Sequence, residues 1–332
     1  MSLFGKKYQL GLDIGDHSIK GASLELNSSK VHVWREVLHP HREGREDSLS
    51  GVRFEARVKE ILSKHRKFFS RSKNQVVVGI QGRSVTTGYL PLPPLKESEI
   101  ELAVRSTVSR EVPFPVETLD TVYLSVAPLP PDRFAVFYSA WKREKASQLT
   151  DLLKACDLKV LRMEVTGVAL TRQLFRNRLL DAEAYYAIVN IGFEVTQIAL
   201  VRGGYPYYLR DVPIGGRDVT YAIQVGSQVG WSEAEEVKKN LPLFELMHTA
   251  GPILNELQYE IRRSVDYFCR KFPCDKVEQV FLSGGTAMMA DFPEWLEEEL
   301  RIPVVIESWE QLRVETEEEA AHNVAVGLAL VQ

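Results

Sequence analysis

The sequence predicts an α/β protein of two related lobes, and three observations carry that prediction. A strand, Ile-Gly turn, strand, polar turn, strand unit occurs twice, as LDIGDHSIKGASLELNSSKVHVWREV from Leu12 and as VNIGFEVTQIALVRGGYPYYLRDV from Val189. Apolar strands elsewhere alternate with segments of helical periodicity, the pattern of sheets covered by helices. A third glycine-rich bend, Ser283-Gly284-Gly285-Thr286-Ala287, follows a strand and is expected to open a helix.

Bulk properties narrow the function classes. The chain has 332 residues, 45% hydrophobic and 26% charged, enough for roughly two ordinary cores. A formal net charge of -4 gives no basic surplus to neutralise phosphates, so nucleic acid is not an expected partner. Cys156, Cys269 and Cys274 form neither an even disulfide set nor a paired zinc-ligand pattern, which suits a reducing cytosol. MSLFGKKYQL lacks the apolar stretch of a signal peptide, and no run approaches the roughly 18 to 20 apolar residues that span a bilayer. Any membrane association is therefore expected through a partner.

The elements follow in order. The first lobe is expected over 1–84 and 161–182, with a closing helix at 317–332 returning to it. Its repeat ends at Trp34-Arg35-Glu36-Val37, matched in the second lobe by Leu209-Arg210-Asp211-Val212. Phe54, Val58, Ile61, Leu62 and Phe69 recur at helical spacing, predicting an amphipathic helix near 52–70. Arg57, Lys59, Lys64, Arg66 and Lys67 lie on its other face, read as solvated because Glu55 and Glu60 dilute the charge. The nearly all-apolar QVVVGIQG reads as an interior strand. LPLPPL, Leu90 to Leu95, reads as an extended connector, since proline removes backbone donors. Residues 85–160 then read as an inserted subdomain: a helix stopped by Pro113 and Pro115, two strands, and a helix from Lys142 to Cys156. The second lobe, 183–316, opens with the repeated hairpin, is mostly helical over 213–280, and ends in strand, Gly-Gly bend, helix and strand.

The bends carry the chemistry. Glycine lets a turn after a strand bring backbone N–H groups close to phosphate oxygens, so Gly15 and Gly192 mark paired phosphate turns facing one cleft. Asp13 is placed to hold a hydrated magnesium ion, and Lys20 to return along the next strand toward phosphate charge. Glu235 and Lys238, three apart on a helix, share a face suited to a ribose or to a surface ion pair. The N-terminus expected at Gly284 and Gly285 favours anionic or polar ligand groups. His17 reads as a phosphate donor or as an ordinary turn residue. His39 and His41 have no metal-ligand spacing and read as loop residues.

Two Ile-Gly hairpins, PIGG at 213–216, AEEVK at 234–238, LSGG at 282–285 and a closing AVGLAL helix together resemble the actin-like ATPases over nearly the whole chain. The inserted segment with EVPFP, followed by LLKACDLKVLRMEV, is similar to the PilM family of type IV pilus proteins, and more distantly to FtsA. The resemblance implies a two-lobed actin-like, ribonuclease H-like fold with an FtsA/PilM-type subdomain inserted in the first lobe. It implies ATP and Mg2+ in the interlobe cleft. Asp13, Gly15, Asp16, His17, Ser18 and Lys20 would form the first phosphate loop, with Asp13 toward the metal, and Asn190 and Gly192 the second. Gly215 and Gly216 would lie near the phosphates, Glu235 and Lys238 near the ribose, and Gly284, Gly285 and Thr286 near the adenosine. It also implies a cytoplasmic protein peripheral to the inner membrane. Its partners would be the N-terminal cytoplasmic tail of a PilN-like membrane protein, held between the first lobe and the insertion, and pilus motor and platform components. Homo-oligomerisation stays open. Arg110 to Pro115 is a candidate for that groove but reads first as a helix-ending turn.

Three departures weaken hydrolysis. Asn190 stands where the family usually has aspartate, bringing hydrogen bonds but no negative charge to a metal or attacking water. Asp16 replaces a common serine and repels a terminal phosphate unless a metal intervenes. Thr166 falls where an acid is common near the lobe connection. The expectation is at most a weak ATPase, with a degenerate site as its limit. An FtsA-like filament protein is the alternative, disfavoured because the chain ends at Gln332 without a membrane helix. A type II secretion platform component would continue into a transmembrane helix. A small-molecule kinase would need a general base that no aspartate convincingly supplies.

Overall fold

The computed structural model describes residues 7–26, 28, 30–38, 52–81, 85–112, 114–129, 133–272, 274–309 and 319–331. Strands β1 (Tyr8–Ile14), β2 (Ser18–Glu25) and β3 (Lys30–Val37) form an antiparallel meander. Helices α1 (Val52–Lys64) and α2 (Arg66–Phe69) follow, then β4 (Gln75–Ile80), which pairs parallel to β1. The helix expected over 52–70 is thus interrupted at His65, whose ring stacks on Trp34 at 3.8 Å between centroids. Arg57, expected in solvent, turns inward to donate to the carbonyls of Val37 and Leu38.

The chain then leaves the first sheet to build β5 (Val85–Leu92), α3 (Glu97–Glu111), β6 (Leu119–Leu129), β7 (Arg133–Lys142) and α4 (Arg143–Lys154). Strands β5, β7 and β6 make a separate three-stranded antiparallel sheet with β7 in the middle. Ile100, Val104 and Val108 of α3 share a buried cluster with Val136, Tyr138 and Ala140 of β7, so one helix face closes one sheet face. The expected LPLPPL connector is partly strand: Pro91 sits within β5 opposite Ala135. β5 is an edge strand, where a missing N–H costs no ladder bond. β8 (Lys159–Val165) then returns the chain to the first sheet, parallel to β4.

Helix α5 (Thr166–Asn177) leads to the second meander, β9 (Tyr186–Ile191), β10 (Thr196–Arg202) and β11 (Tyr205–Val212). Helices α6 (Gly216–Ser227), α7 (Trp231–Asn240) and α8 (Leu243–Lys271) follow, then β12 (Gln279–Ser283), α9 (Phe292–Leu300), β13 (Val304–Ile306) and α10 (Glu319–Ala329). The two five-stranded sheets have one topology, β3-β2-β1-β4-β8 and β11-β10-β9-β12-β13, each with an antiparallel meander on one side and parallel strands on the other. The repeat read in the sequence is therefore a repeat of whole sheets.

Close packing seats the last helix in the first lobe, and a buried carboxylate joins the two lobes. Carbons built at Gly11 and Gly327 would lie 2.0 Å from the carbonyls of Ala325 and Ala169, so α10 presses directly on β1 and α5 where side chains are missing. Arg172 of α5 donates to the Gly327 carbonyl and to both oxygens of Glu164, which is fully buried at the end of β8. Across the other lobe, Glu307 is 2% exposed and accepts from Asn177, Gln173 and Arg178 of and after α5. Burial raises the Glu307 pKa, only partly offset by the Arg178 guanidinium and the amide donors.

Candidate functional site

The twin meanders present the same construction at the same place. Gly15 N–H donates to Ser18 O at 3.1 Å, and Gly192 N–H donates to Val195 O at 3.0 Å. Each glycine amide thereby closes its own turn. The two glycines shape the bends, because a turn this tight consumes its own donor.

Between the turns lies a cavity of about 310 Å3. Its wall contains Asp13, Gly15, Asp16, His17, Ser18 and Lys20 from the first meander, with Asn190 and Gly192 from the second. Glu235 and Lys238 come from α7, and Gly284, Gly285 and Thr286 from the bend after β12. Gly215 and Gly216 do not line it; they brace it. Gly216 N–H donates to Gly192 O at 2.9 Å, and a side chain there would meet Thr286 Oγ1 at 2.2 Å.

The Gly284–Gly285 bend also differs from expectation. It runs into a single 3₁₀ turn, Gly285–Met288, and the helix α9 starts only at Phe292. Gly284 holds φ +90°, a conformation open to glycine, and donates to Ala320 O. No helix dipole therefore opens at the glycines. What the bend supplies is space: a carbon on Gly285 would stand toward the cavity, 3.9 Å from Arg35 Nη2.

Four of the charges on the wall are paired with one another. Lys20 Nζ meets Asp13 Oδ2 at 2.9 Å, so both have a partner before any ligand enters. Lys238 bonds Glu235 Oε1 at 2.8 Å and Thr220 Oγ1 at 2.7 Å, and Thr220 also donates to Glu235. Burial pushes the Glu235 carboxyl up, but the Lys238 ammonium and the two hydrogen bonds outweigh it and leave the pKa below its usual value. Burial lowers the Lys238 pKa against the pull of Glu235. Asp16 is reached by solvent through the cleft, yet protein on its other sides desolvates it, and with Asp13 nearby its pKa rises despite Lys145, Arg217 and Lys20.

His17 crosses the cleft. Its ring stacks on Phe193 of the opposite turn, centroids 4.6 Å apart and planes inclined 27°. Burial, with Arg35, Lys238 and Lys20 adding positive charge, lowers its pKa to about 4 despite Glu235, so the imidazole is neutral at neutral pH.

Sequence reading missed several wall residues: Arg35, Gln81, Phe193, Gln197, Asp211 and Lys239. Strand register was the available signal. Asp13 lies opposite Lys20 and Lys20 opposite Arg35; the matching row in the second sheet is Asn190, Gln197, Asp211. Once the turns are aligned, every member of either row is fixed on one line across its sheet. Gln197 donates to Asp211 Oδ1 at 3.0 Å and accepts from Thr166 Oγ1, so the buried Thr166 hydroxyl joins a hydrogen-bond row that ends on a carboxylate. Among the described residues, no group of three or more His, Cys, Asp or Glu is arranged to hold a metal ion.

A second concavity, about 690 Å3, lies between the first sheet and the inserted segment. Glu101 and Arg105 of α3, Leu119 to Thr121 of β6, Trp141, Ala146 and Thr150, and Val160 to Met163 of β8 line it. Both β8 and β6 end the order of their sheets. Leu161 is 54% exposed, while Trp141 is 5% exposed with an indole N–H that has no partner among the described residues. Of the stretch Arg110 to Pro115, Pro113 lies outside the described residues and none of the rest lines this groove; Val112 and Phe114 border a smaller hollow with Lys142 and Lys145. His39 and His41 also lie outside the described residues.

The family model for the type IV pilus assembly protein PilM matches residues 11–332. The chain belongs to that family. Among solved structures, the PilM-PilN type IV pilus biogenesis complex is similar at 24% identity, covering 98% of this chain and 98% of that one, with a TM-score of 0.79. Ethanolamine utilization protein EutJ from Carboxydothermus hydrogenoformans follows at 15% identity, 99% and 91% coverage and TM-score 0.60. MreB5 of Spiroplasma citri aligns over 97% and 94% at 11% identity and TM-score 0.48. The fold is the actin-like one that the sequence predicts, and the family is that of type IV pilus assembly. No described helix is long and apolar enough to cross a membrane.

Proposed function

We propose that this chain is a cytoplasmic assembly scaffold of the type IV pilus inner-membrane platform. It holds an extended segment of a PilN-like membrane protein in the groove beside β8, and an adenine nucleotide in the interlobe cleft as a structural ligand. The groove carries this reading: two sheet edges, β8 and β6, face one concavity that also holds an exposed leucine and a buried indole N–H without a described partner. A strand edge supplies main-chain hydrogen bonds to an extended peptide, and alternate side chains then fall into pockets. Arg105, Arg143 and Arg162 beside Glu101 and Asp120 give the rim mixed charge. Such a peptide would tie the protein to the inner membrane without a span of its own.

The cleft suits a nucleotide by shape. The bend at Gly285 leaves room beside Arg35, Lys238 and Lys239 line the side toward α7, and Lys20 stands at the first turn. Asp13 would reach magnesium only through water or by giving up Lys20, since its carboxylate is held at 2.9 Å. At the head of the second turn Asn190 stands in place of a carboxylate, and Asp211 of the same row accepts from Gln197, which favours binding over turnover. Asp13, Gly15, Ser18, Lys20, Glu235, Lys238 and Gly284 to Thr286 are the residues we assign to this site.

The test is calorimetric titration with a synthetic peptide from the N-terminus of the cognate PilN-like protein. Leu161→Glu should abolish binding and Trp141→Phe, which removes the N–H together with part of the indole ring, should weaken it about tenfold or more, at least the ~1.4 kcal/mol of one hydrogen bond. Undiminished binding to both variants would refute the groove.

A further inference from the structure

The cleft contains a feature that the assignment above does not use. His17 and Phe193, one from each turn, meet ring to ring at 4.6 Å, so aromatic carbon closes one side of the cavity where the two turns meet. Trp231 packs edge-on against Phe193 at 6.2 Å between centroids, backing the stack from α7. Asp16 sits beside His17 on the cavity wall. On the opposite strand Asn190 occupies the position paired with Gln197, and its Oδ1 is directed at the Gly284 bend, 3.0 Å from where a carbon on Gly284 would be.

We infer that the cleft selects a nucleoside diphosphate over a triphosphate, with the His17–Phe193 stack and the Asp16 carboxylate excluding the third phosphate. The inference rests on the nucleotide reading above. A nucleotide with its base beside Gly285 and its ribose beside Glu235 directs its phosphates toward the two turns. Lys20, held by Asp13, and Arg35 line the wall there and would meet two phosphates. A third would have to enter between the turns, where it meets two stacked rings and a carboxylate. A phosphate there would need to part the stack and come against like charge at short range, and both effects oppose it. His17, kept neutral by burial and by Arg35, brings no positive charge to compensate.

Calorimetric titration with ADP and with ATP, each with magnesium, tests this on the full chain and on Phe193→Ala, His17→Ala and Asp16→Ser. The parent should bind ADP at least tenfold more tightly than ATP, and the variants should narrow that ratio to about threefold or less while circular dichroism stays unchanged. Equal or tighter binding of ATP by the parent would overturn the inference and leave the nucleotide reading standing. Absence of binding to either nucleotide would overturn both. A parental preference for ADP that survives in all three folded variants would refute the role of these residues.

Discussion

The cross-cleft imidazole gives the sharpest quantitative test. His17 titrates at about 4 in the folded protein against 6.5 when unfolded. Between those values the unfolded chain binds a proton that the folded chain does not, so stability is lost as pH falls from about 6.5 to about 4 and is complete above that window. A gap of about 2.5 pH units at about 1.36 kcal/mol each sets a ceiling of ~3.4 kcal/mol, and partial access of solvent to the ring through the cleft makes ~2–3 kcal/mol the expected loss. Other groups also titrate in this range, so the reading is the difference between parent and His17→Phe, which preserves a ring against Phe193 but carries no proton. Urea unfolding at pH 7 and pH 4 should show the parent losing ~2–3 kcal/mol more than the variant. An NMR titration of the imidazole should place its midpoint near 4. Parallel pH profiles, or a midpoint near 6.5, would refute the argument that burial and neighbouring cations control this ring.

The remaining predictions concern the lobe joint, the packing inside each lobe and the cavity. Arg178→Met leaves Glu307 buried beside amide donors alone and should cost about 3–5 kcal/mol in urea unfolding, part of it recovered by adding Glu307→Gln. Gly327→Val drives a side chain into the Ala169 carbonyl and should lower stability by about 3 kcal/mol or more; a loss under ~1 kcal/mol would mean α10 is not held against α5 as described. Phe268→Ala, at a fully buried position of the second-lobe core, should cost about 3–5 kcal/mol in the same assay. Gly285→Val places carbon in the cavity and should weaken nucleotide binding at least tenfold without lowering the melting temperature; intact binding would move the ligand elsewhere.

Much of the architecture was legible because it is written twice. Apolar alternation across Leu10 to Glu25 and Tyr186 to Arg202 set strand identity, and the shared order of turns set the lobe plan. Gly15, Gly192, Glu235, Lys238 and Gly285 were found from spacing and resemblance, and the structure brings them to one cavity. Legibility failed where the deciding partner is distant. Arg35 and Asp211 looked like ordinary hairpin residues, since only sheet register shows them in line with Lys20 and Gln197. The Gly284 bend suggested a helix start, but its amide is taken by Ala320, thirty-six residues on, and a short 3₁₀ turn results. Pro91 argued against a strand until β7 showed that it occupies an edge.

By itself, the amino-acid order determined the periodicities: which segments are strands or helices, where glycine bends occur, and that one half restates the other. Those are consequences of local geometry, since side-chain spacing of two or of about 3.6 residues needs no knowledge of the rest of the chain. Tertiary structure alone decided how charges and donors are spent. Lys20 closes on Asp13, the turn glycines donate to their own loops, and His17 meets Phe193 from 176 residues away. Electrostatic and packing energies depend on separations of a few ångströms in space, and only the folded chain sets those separations.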